Sequence, residues 1–296
     1  MMPLRFEFGR PGACFDVRCT VGREFGAYSI LLDGIRFDNR FIPKVAGSSA
    51  RWRLVCIPVE GEFIVNGEVS GENTVLVATD QVIAPGEGAS QTLRSKGNRV
   101  RIVGIRLRPE DFGEGGDELV ARTHPTSEET VRAFRAFGDA VANKQHDGLK
   151  THLQRALDGL LADGIIRNAS ALVREGASAP KSIAGRVAEA IFPLLSKLAT
   201  RPMMIDLVER AGVSERQLLR DILKTQREFD LLDRGWRKSI VRWRTTAGAL
   251  LLSSPTLSLD EVAELAGYSS TSAMSRAFRE AQLPPPTVIR SATRDN

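Results

Sequence analysis

The side chains with the most telling chemistry follow a motif that occurs twice. Residues 206–214 read Asp-Leu-Val-Glu-Arg-Ala-Gly-Val-Ser, and residues 261–269 read Glu-Val-Ala-Glu-Leu-Ala-Gly-Tyr-Ser. Behind the first copy come Arg216, Gln217, Arg220, Lys224 and Arg227; behind the second come Thr271, Ser272, Ser275, Arg276 and Arg279. Arg216, Arg220, Lys224 and Arg227 recur at helical spacing, so they form one basic stripe, with Leu218, Ile222 and Leu223 expected on the core side. Ser272, Ser275, Arg276 and Arg279 share a face in the same way, with Ala273, Met274, Ala277 and Phe278 turned inward. A guanidinium matches the paired acceptors of guanine in the major groove, and hydroxyls serve either bases or phosphates. The pattern therefore predicts double-stranded DNA as the partner.

To present such stripes, each copy must be a short amphipathic helix, a tight turn and a second helix. Gly212 and Gly267 close the first helices, since glycine takes a left-handed backbone without a Cβ penalty. Ser214 and Ser269 are the expected N-caps of the second helices. This is a helix-turn-helix, expected at about 203–226 and 258–281. Ala263 leaves room for close helix packing, whereas the first copy has the bulkier Val208 there. Between the copies, Trp236–Ser253 reads as one long helix that sets their spacing. Residues 234–244 hold five basic side chains and no acidic one, together with Trp236 and Trp243. They suit phosphate contacts or a solvated helix face over buried tryptophans, and the sequence leaves both readings open.

The rest of the chain differs in character. Residues 1–110 read as β: short runs rich in branched side chains at 28–32, 52–57, 62–65, 74–77 and 100–105, with turns at Asn66-Gly67 and Pro85-Gly86. That pattern predicts a small barrel or sandwich. Residues 111–178 read as helical, from Val131, Phe134, Phe137 and Val141 and then Leu149, Leu153, Leu157, Leu160 and Leu161, with a linker at 176–180. Residues 179–296 read as almost wholly helical, with a kink or break at Pro193 and the last strong helix ending at Pro284-Pro285-Pro286. The fold class expected is thus α+β and multidomain.

Composition narrows the chemistry. The net charge is +5, yet residues 1–117 balance 15 basic against 15 acidic side chains, so the excess lies in the later segments. With three cysteines, Cys14, Cys19 and Cys56, and three histidines, His124, His146 and His152, there is little material for a disulfide framework, a metal centre or a histidine-based triad. No catalytic residue, metal or cofactor is expected. The longest apolar candidate, around Ala247–Leu252, is far short of a bilayer span, and no signal-like stretch follows Met1, so a soluble, cytoplasmic protein is expected.

At Ser258–Arg290 the reading becomes specific. The run Ser-Leu-Asp-Glu-Val-Ala-Glu-Leu-Ala-Gly-Tyr-Ser-Ser at 258–270, Ser275-Arg276-Ala277-Phe278-Arg279, and Pro285 with Arg290 resemble the second helix-turn-helix of AraC/XylS-type transcription regulators. Residues 180–225 resemble the first half of the same domain, with Leu219 where the family often has a polar side chain and a longer stretch at Gln226–Gly235. The resemblance implies two modules on a connecting helix, both entering the major groove. It implies base-facing roles for Arg216, Gln217, Arg220, Thr271, Ser272 and Arg276. It also implies a cupin-like N-terminal sensor domain and a dimerising role for the helical 111–178 segment, whose apolar faces need a partner. The function expected is a sequence-specific transcription regulator, an activator working with RNA polymerase as a homodimer, gated by a small-molecule or protein effector. The alternative is a cupin-type enzyme, or a methyl-acceptor repair protein using one of the cysteines, with an accessory DNA-binding domain.

Overall fold

The computed structural model describes residues 2–21, 26–43, 52–70, 73–79, 92–114, 116–143, 148–169, 183–229 and 236–294. Eight strands form one antiparallel sheet: β1 (Met2–Arg10), β2 (Ala13–Val21), β3 (Gly26–Asp33), β4 (Arg53–Val65), β5 (Glu68–Val69), β6 (Thr74–Ala78), β7 (Leu93–Leu107) and β8 (Arg122–Pro125). Their order is β1-β2-β3-β7-β4-β6-β8, with β5 paired to β4, so β1 and β8 are the edges among the described residues. The Asn66-Gly67 turn joins β4 to β5 with φ of 52° and 91°, the two positive angles that a two-residue hairpin of the primed type requires. The Pro85-Gly86 turn and the 176–180 linker lie outside the described residues.

Strict alternation divides the sheet into two apolar faces. Phe15, Val17, Ile30, Leu32, Val100, Ile102 and Cys56 lie on one; Ala27, Val103, Ile105, Val55, Ile57, Val75 and Val77 lie on the other. In β4 the register shifts between Pro58 and Glu60 and again between Glu60 and Glu62. These bulges exchange the faces: Val55, Ile57 and Val59 belong to the second face, Phe63 and Val65 to the first. Residues 62–65, expected as a separate strand, are therefore the second half of one bent strand. The bend passes through Gly61, at φ 78°, where a Cβ would stand 2.7 Å from the Arg99 carbonyl oxygen.

The second face is covered by a helical hairpin, α1 (Glu128–Ala142) and α2 (Leu149–Ala162). Phe134, Phe137, Leu153, Leu157 and Leu160 are buried against the sheet's valines and isoleucines. This corrects the reason given for a dimer, because the apolar faces of α1 and α2 find their partner within the chain. A second correction concerns β8: the segment read as helical contains a strand, and His124 sits in it, its Nε2 2.8 Å from the Leu119 carbonyl oxygen. The hairpin is stapled at its ends by Asp163, whose Oδ2 accepts from the Ser127 amide at 3.0 Å and from the Thr126 hydroxyl.

The remaining helices are α3 (Ile183–Leu195), α4 (Met204–Ala211), α5 (Glu215–Phe229), α6 (Trp236–Leu252), α7 (Leu259–Leu265), α8 (Thr271–Glu280) and α9 (Pro286–Arg294). Pro193 does not break α3; it falls in the last turn, and the helix ends two residues later. Nor is the proline run only an end. Pro286 opens α9, at the first helical position where its missing N–H costs nothing. Buried Val187, Ile191, Leu194 and Leu195 of α3 join the first face of the sheet and the later helices in one continuous core. Among the described residues no helix is long and apolar enough to cross a membrane.

Gly138 shows how close the packing is. A Cβ there would lie 2.3 Å from Val103 Cγ2, inside the buried second face. Helix propensity favours alanine over glycine by about 1 kcal/mol, while overpacking a filled core costs about 1–3 kcal/mol. The Gly138→Ala variant is therefore expected to be less stable than the parent in urea denaturation, although the substitution is made in a helix.

Candidate nucleic-acid interface

In the first module Gly212 ends α4 in the left-handed conformation, at φ 62°, with its amide donating to the Val208 carbonyl at 3.0 Å. Ser214 then caps α5, accepting from the Gln217 amide at 3.3 Å. Leu207, Leu218 and Ile222 are buried against α3 and hold the two helices together. Leu223, expected on the same inner side, is instead 43% exposed: it lies one residue past Ile222, where the helix has turned outward. Arg216, Arg220 and Lys224 are exposed, and Gln217 is half-buried. The side chain of Arg227 lies outside the described residues, as does Arg234.

The Gln217 side chain is committed within the helix. Its Nε2 donates to Asp221 Oδ1 at 2.7 Å, and its Oε1 accepts from Arg220 at 2.8 Å. Asp221 is buried and stands 3.5 Å from the guanidinium of Arg186 on α3. The chain Arg186–Asp221–Gln217–Arg220 thus runs from the scaffold to the outer stripe and limits the rotamers open to Arg220. This link was not legible in the sequence, because Arg186 lies far from the other three.

The second module is built alike, with a fuller cap. Ser258 and Glu261 form a reciprocal capping box: the Ser258 amide donates to Glu261 Oε2 at 2.8 Å, and the Glu261 amide to Ser258 Oγ at 3.2 Å. Gly267, at φ 84°, closes α7, and the Tyr268 hydroxyl is 3.1 Å from Thr245 Oγ1 on α6. The cap of α8 is Ser270, accepting from the Ala273 amide at 3.1 Å, rather than Ser269. The reason is helix start: α8 begins at Thr271, so the extended residue directly before it is Ser270. Met274 and Phe278 are buried, Phe278 with its ring against Gly248 of α6. Ser272, Ser275, Arg276 and Arg279 are exposed and Thr271 is half-buried. Ser275 Oγ donates back to the Thr271 carbonyl at 2.9 Å, which leaves its lone pairs facing outward.

Both stripes are electrostatically open. Among the described residues Arg216, Arg220, Lys224, Arg276 and Arg279 form no ion pair with a carboxylate. On α6, Arg237 and Lys238 are exposed, whereas Trp236 is buried and Arg244 is half-buried, its desolvation drawing the pKa down. Among the described residues no group of three or more His, Cys, Asp or Glu side chains could hold a metal ion.

Solved structures similar to the chain include ToxT from Vibrio cholerae, at 10% identity over 93% of this chain and 97% of that one, with a TM-score of 0.36. ToxT with bound unsaturated fatty acid is similar at 10% identity over 98% and 97%, with a TM-score of 0.34. The AraC-like transcriptional activator CuxR is similar at 9% identity over 72% of this chain and 75% of that one, with a TM-score of 0.34. No protein-family model and no curated protein matches the chain.

The two closing glycines differ in their surroundings. At Gly212 a Cβ would meet nothing within 4 Å, whereas at Gly267 it would stand 2.1 Å from the Leu198 carbonyl oxygen. Gly212→Ala should therefore lose only the left-handed strain, about 1–2 kcal/mol. Gly267→Ala adds a clash with backbone and should lose about 3 kcal/mol or more. Thermal unfolding of the two variants side by side measures the difference.

Proposed function

We propose that the chain is a sequence-specific DNA-binding regulator of transcription, working as an activator of RNA polymerase in the cytoplasm. The observation that carries this reading is the pair of similarly built modules, each with a capped second helix whose inner face is buried and whose outer face bears arginines that pair with no carboxylate among the described residues. Recognition helices of paired modules read half-sites about one duplex turn, ~34 Å, apart. In this reading Arg216, Arg220 and Arg276 address base edges and Lys224 and Arg279 the phosphates. Ser272, Ser275 and Thr271 supply hydroxyls at the N-terminal end of α8. Gln217 acts chiefly by holding Arg220.

The sheet takes the regulatory part. It carries no member of the two stripes, yet it is bonded to the helical region. Where it meets the later helices a cleft of about 400 Å³ opens, lined by Arg5, Phe8, Ser196, Leu198 and Leu265 among others. A small effector seated there touches both parts of the chain at once.

The enzymatic alternatives find less support. Cys14, Cys19 and Cys56 are all buried, and burial pushes the thiols of Cys19 and Cys56 up to about 12. A methyl acceptor works through an accessible thiolate. We therefore read the protein as a regulator rather than a methyl-acceptor repair protein.

Binding to a DNA site selected from random fragments tests the reading. Arg276→Ala should weaken that site by about 1–3 kcal/mol and relax the preference at one base step. Lys224→Ala should weaken all sequences alike and lower the salt slope by about one. Equal loss from both variants on every sequence, with no change in base preference, would contradict the assignment.

A further inference from the structure

The edge strand β1 touches the supports of both modules within four residues. The Glu7 amide donates to Ser196 Oγ at 3.0 Å, just past the end of α3, the helix on which α4 and α5 pack. Three residues on, the Arg10 guanidinium donates to Glu261 Oε1 at 2.7 Å and to the Thr256 carbonyl at 3.3 Å. Glu261 is the capping-box carboxylate of α7, and its other oxygen holds the Ser258 amide. A second point of attachment comes from the loop after β3. The Arg36 amide donates to Ser253 Oγ at 2.7 Å, at the end of α6, and its guanidinium reaches the Thr293 carbonyl on α9 at 3.0 Å and Asn98 Oδ1 at 2.8 Å.

These contacts do not shield the stripes. With the sheet docked, Arg216, Arg220, Lys224, Ser272, Ser275, Arg276 and Arg279 are all exposed. The docked form hides none of these residues, so the docking contacts act on geometry rather than on access. Between the modules, the carbonyl of Leu198, in the turn that leads into α4, faces Gly267 of the second module, where a Cβ would stand 2.1 Å from its oxygen. A strand fastened to both sides of that joint restricts how the joint turns.

We propose that Arg10, clasping Glu261 and the Thr256 carbonyl from β1, is a positioning residue that fixes the relative setting of the two helix-turn-helix modules and so the half-site spacing the protein accepts, with Arg36 as the second fastening. The proposal rests on the DNA-binding reading for its spacing consequence, and on the contacts alone for the clasp itself. It assigns the sheet a pre-organising role: release of the clasp lowers affinity at the preferred spacing.

The experiment uses the full chain and three variants, Arg10→Glu, Arg10→Lys and Arg36→Ala. Hydrogen exchange of the free protein reads the clasp without DNA. Amides at 258–267 are expected to exchange faster in Arg10→Glu, which sets two carboxylates face to face, and to return toward the parent rate in Arg10→Lys. Affinity is then measured on the selected site and on versions with one or two base pairs inserted or removed between its halves. An exposed ion pair is worth about a two- to fivefold change, and the Arg36 guanidinium's hydrogen bonds to Thr293 and Asn98 are worth about as much, so Arg10→Glu and Arg36→Ala should each lose about that factor at the preferred spacing and less at the others, flattening the profile. Unchanged exchange at 258–267 would overturn the clasp, whatever the DNA results. Faster exchange with an unchanged spacing profile, or with tighter binding, would overturn the positioning role. If the parent selects no DNA, the DNA-binding reading falls and the positioning role with it, while the exchange result still decides whether the clasp exists.

Discussion

A sheet that is apolar on both faces must be covered twice, and the arrangement of the other elements follows from that need. The second face, with Val55, Ile57, Val103 and Ile105, is sealed by α1 and α2. The first face is closed in part by the sheet's own bend at the β4 bulges and by Ile35, Phe41 and Ile42, which follow β3. The rest of that core is continuous with α3 and the helices behind it. Burial of apolar area is the main force holding such layers, about 25 cal/mol per Å². It leaves β1, the edge strand, lying against α3 rather than in water, which also protects its free hydrogen-bonding edge.

From that docking the geometry of the two modules follows. Each is a short helix closed by a left-handed glycine and a second helix whose core residues are few but fully buried: Leu218 and Ile222 in one, Met274 and Phe278 in the other. With so small an inner face, neither second helix is held by its own module alone. The first leans on α3, through apolar contacts and the Arg186–Asp221 pair; the second leans on α6, through Phe278 on Gly248 and Tyr268 on Thr245. Among the described residues the outer arginines form no ion pair with a carboxylate, so their guanidinium groups are open to the phosphates of a polyanion.

Features fixed by short-range chemistry were legible in the sequence. The repeated Ala-Gly, the Asn66-Gly67 hairpin and the inner faces of α1, α2 and α8 all depend on neighbours a few residues apart. What escaped depends on distant partners or on a single residue of phase. Ser270 displaced Ser269 because one residue decides where a helix starts, and Leu223 turned outward for a similar reason. The union of 53–65 into one bent strand needed Arg99 and Arg101 across the sheet. The covering of α1 and α2 by the sheet, and the Arg10 to Glu261 contact over 251 positions, leave no periodic trace, since nothing near either residue in sequence signals the other.

In the proposed reading, two similar helices enter one duplex side by side. Hydroxyl-radical footprinting of the full chain on its selected DNA reads this directly. Two protected segments about ten base pairs apart on the same face of the duplex are expected. One uninterrupted protected patch, or two segments on opposite faces, would contradict it.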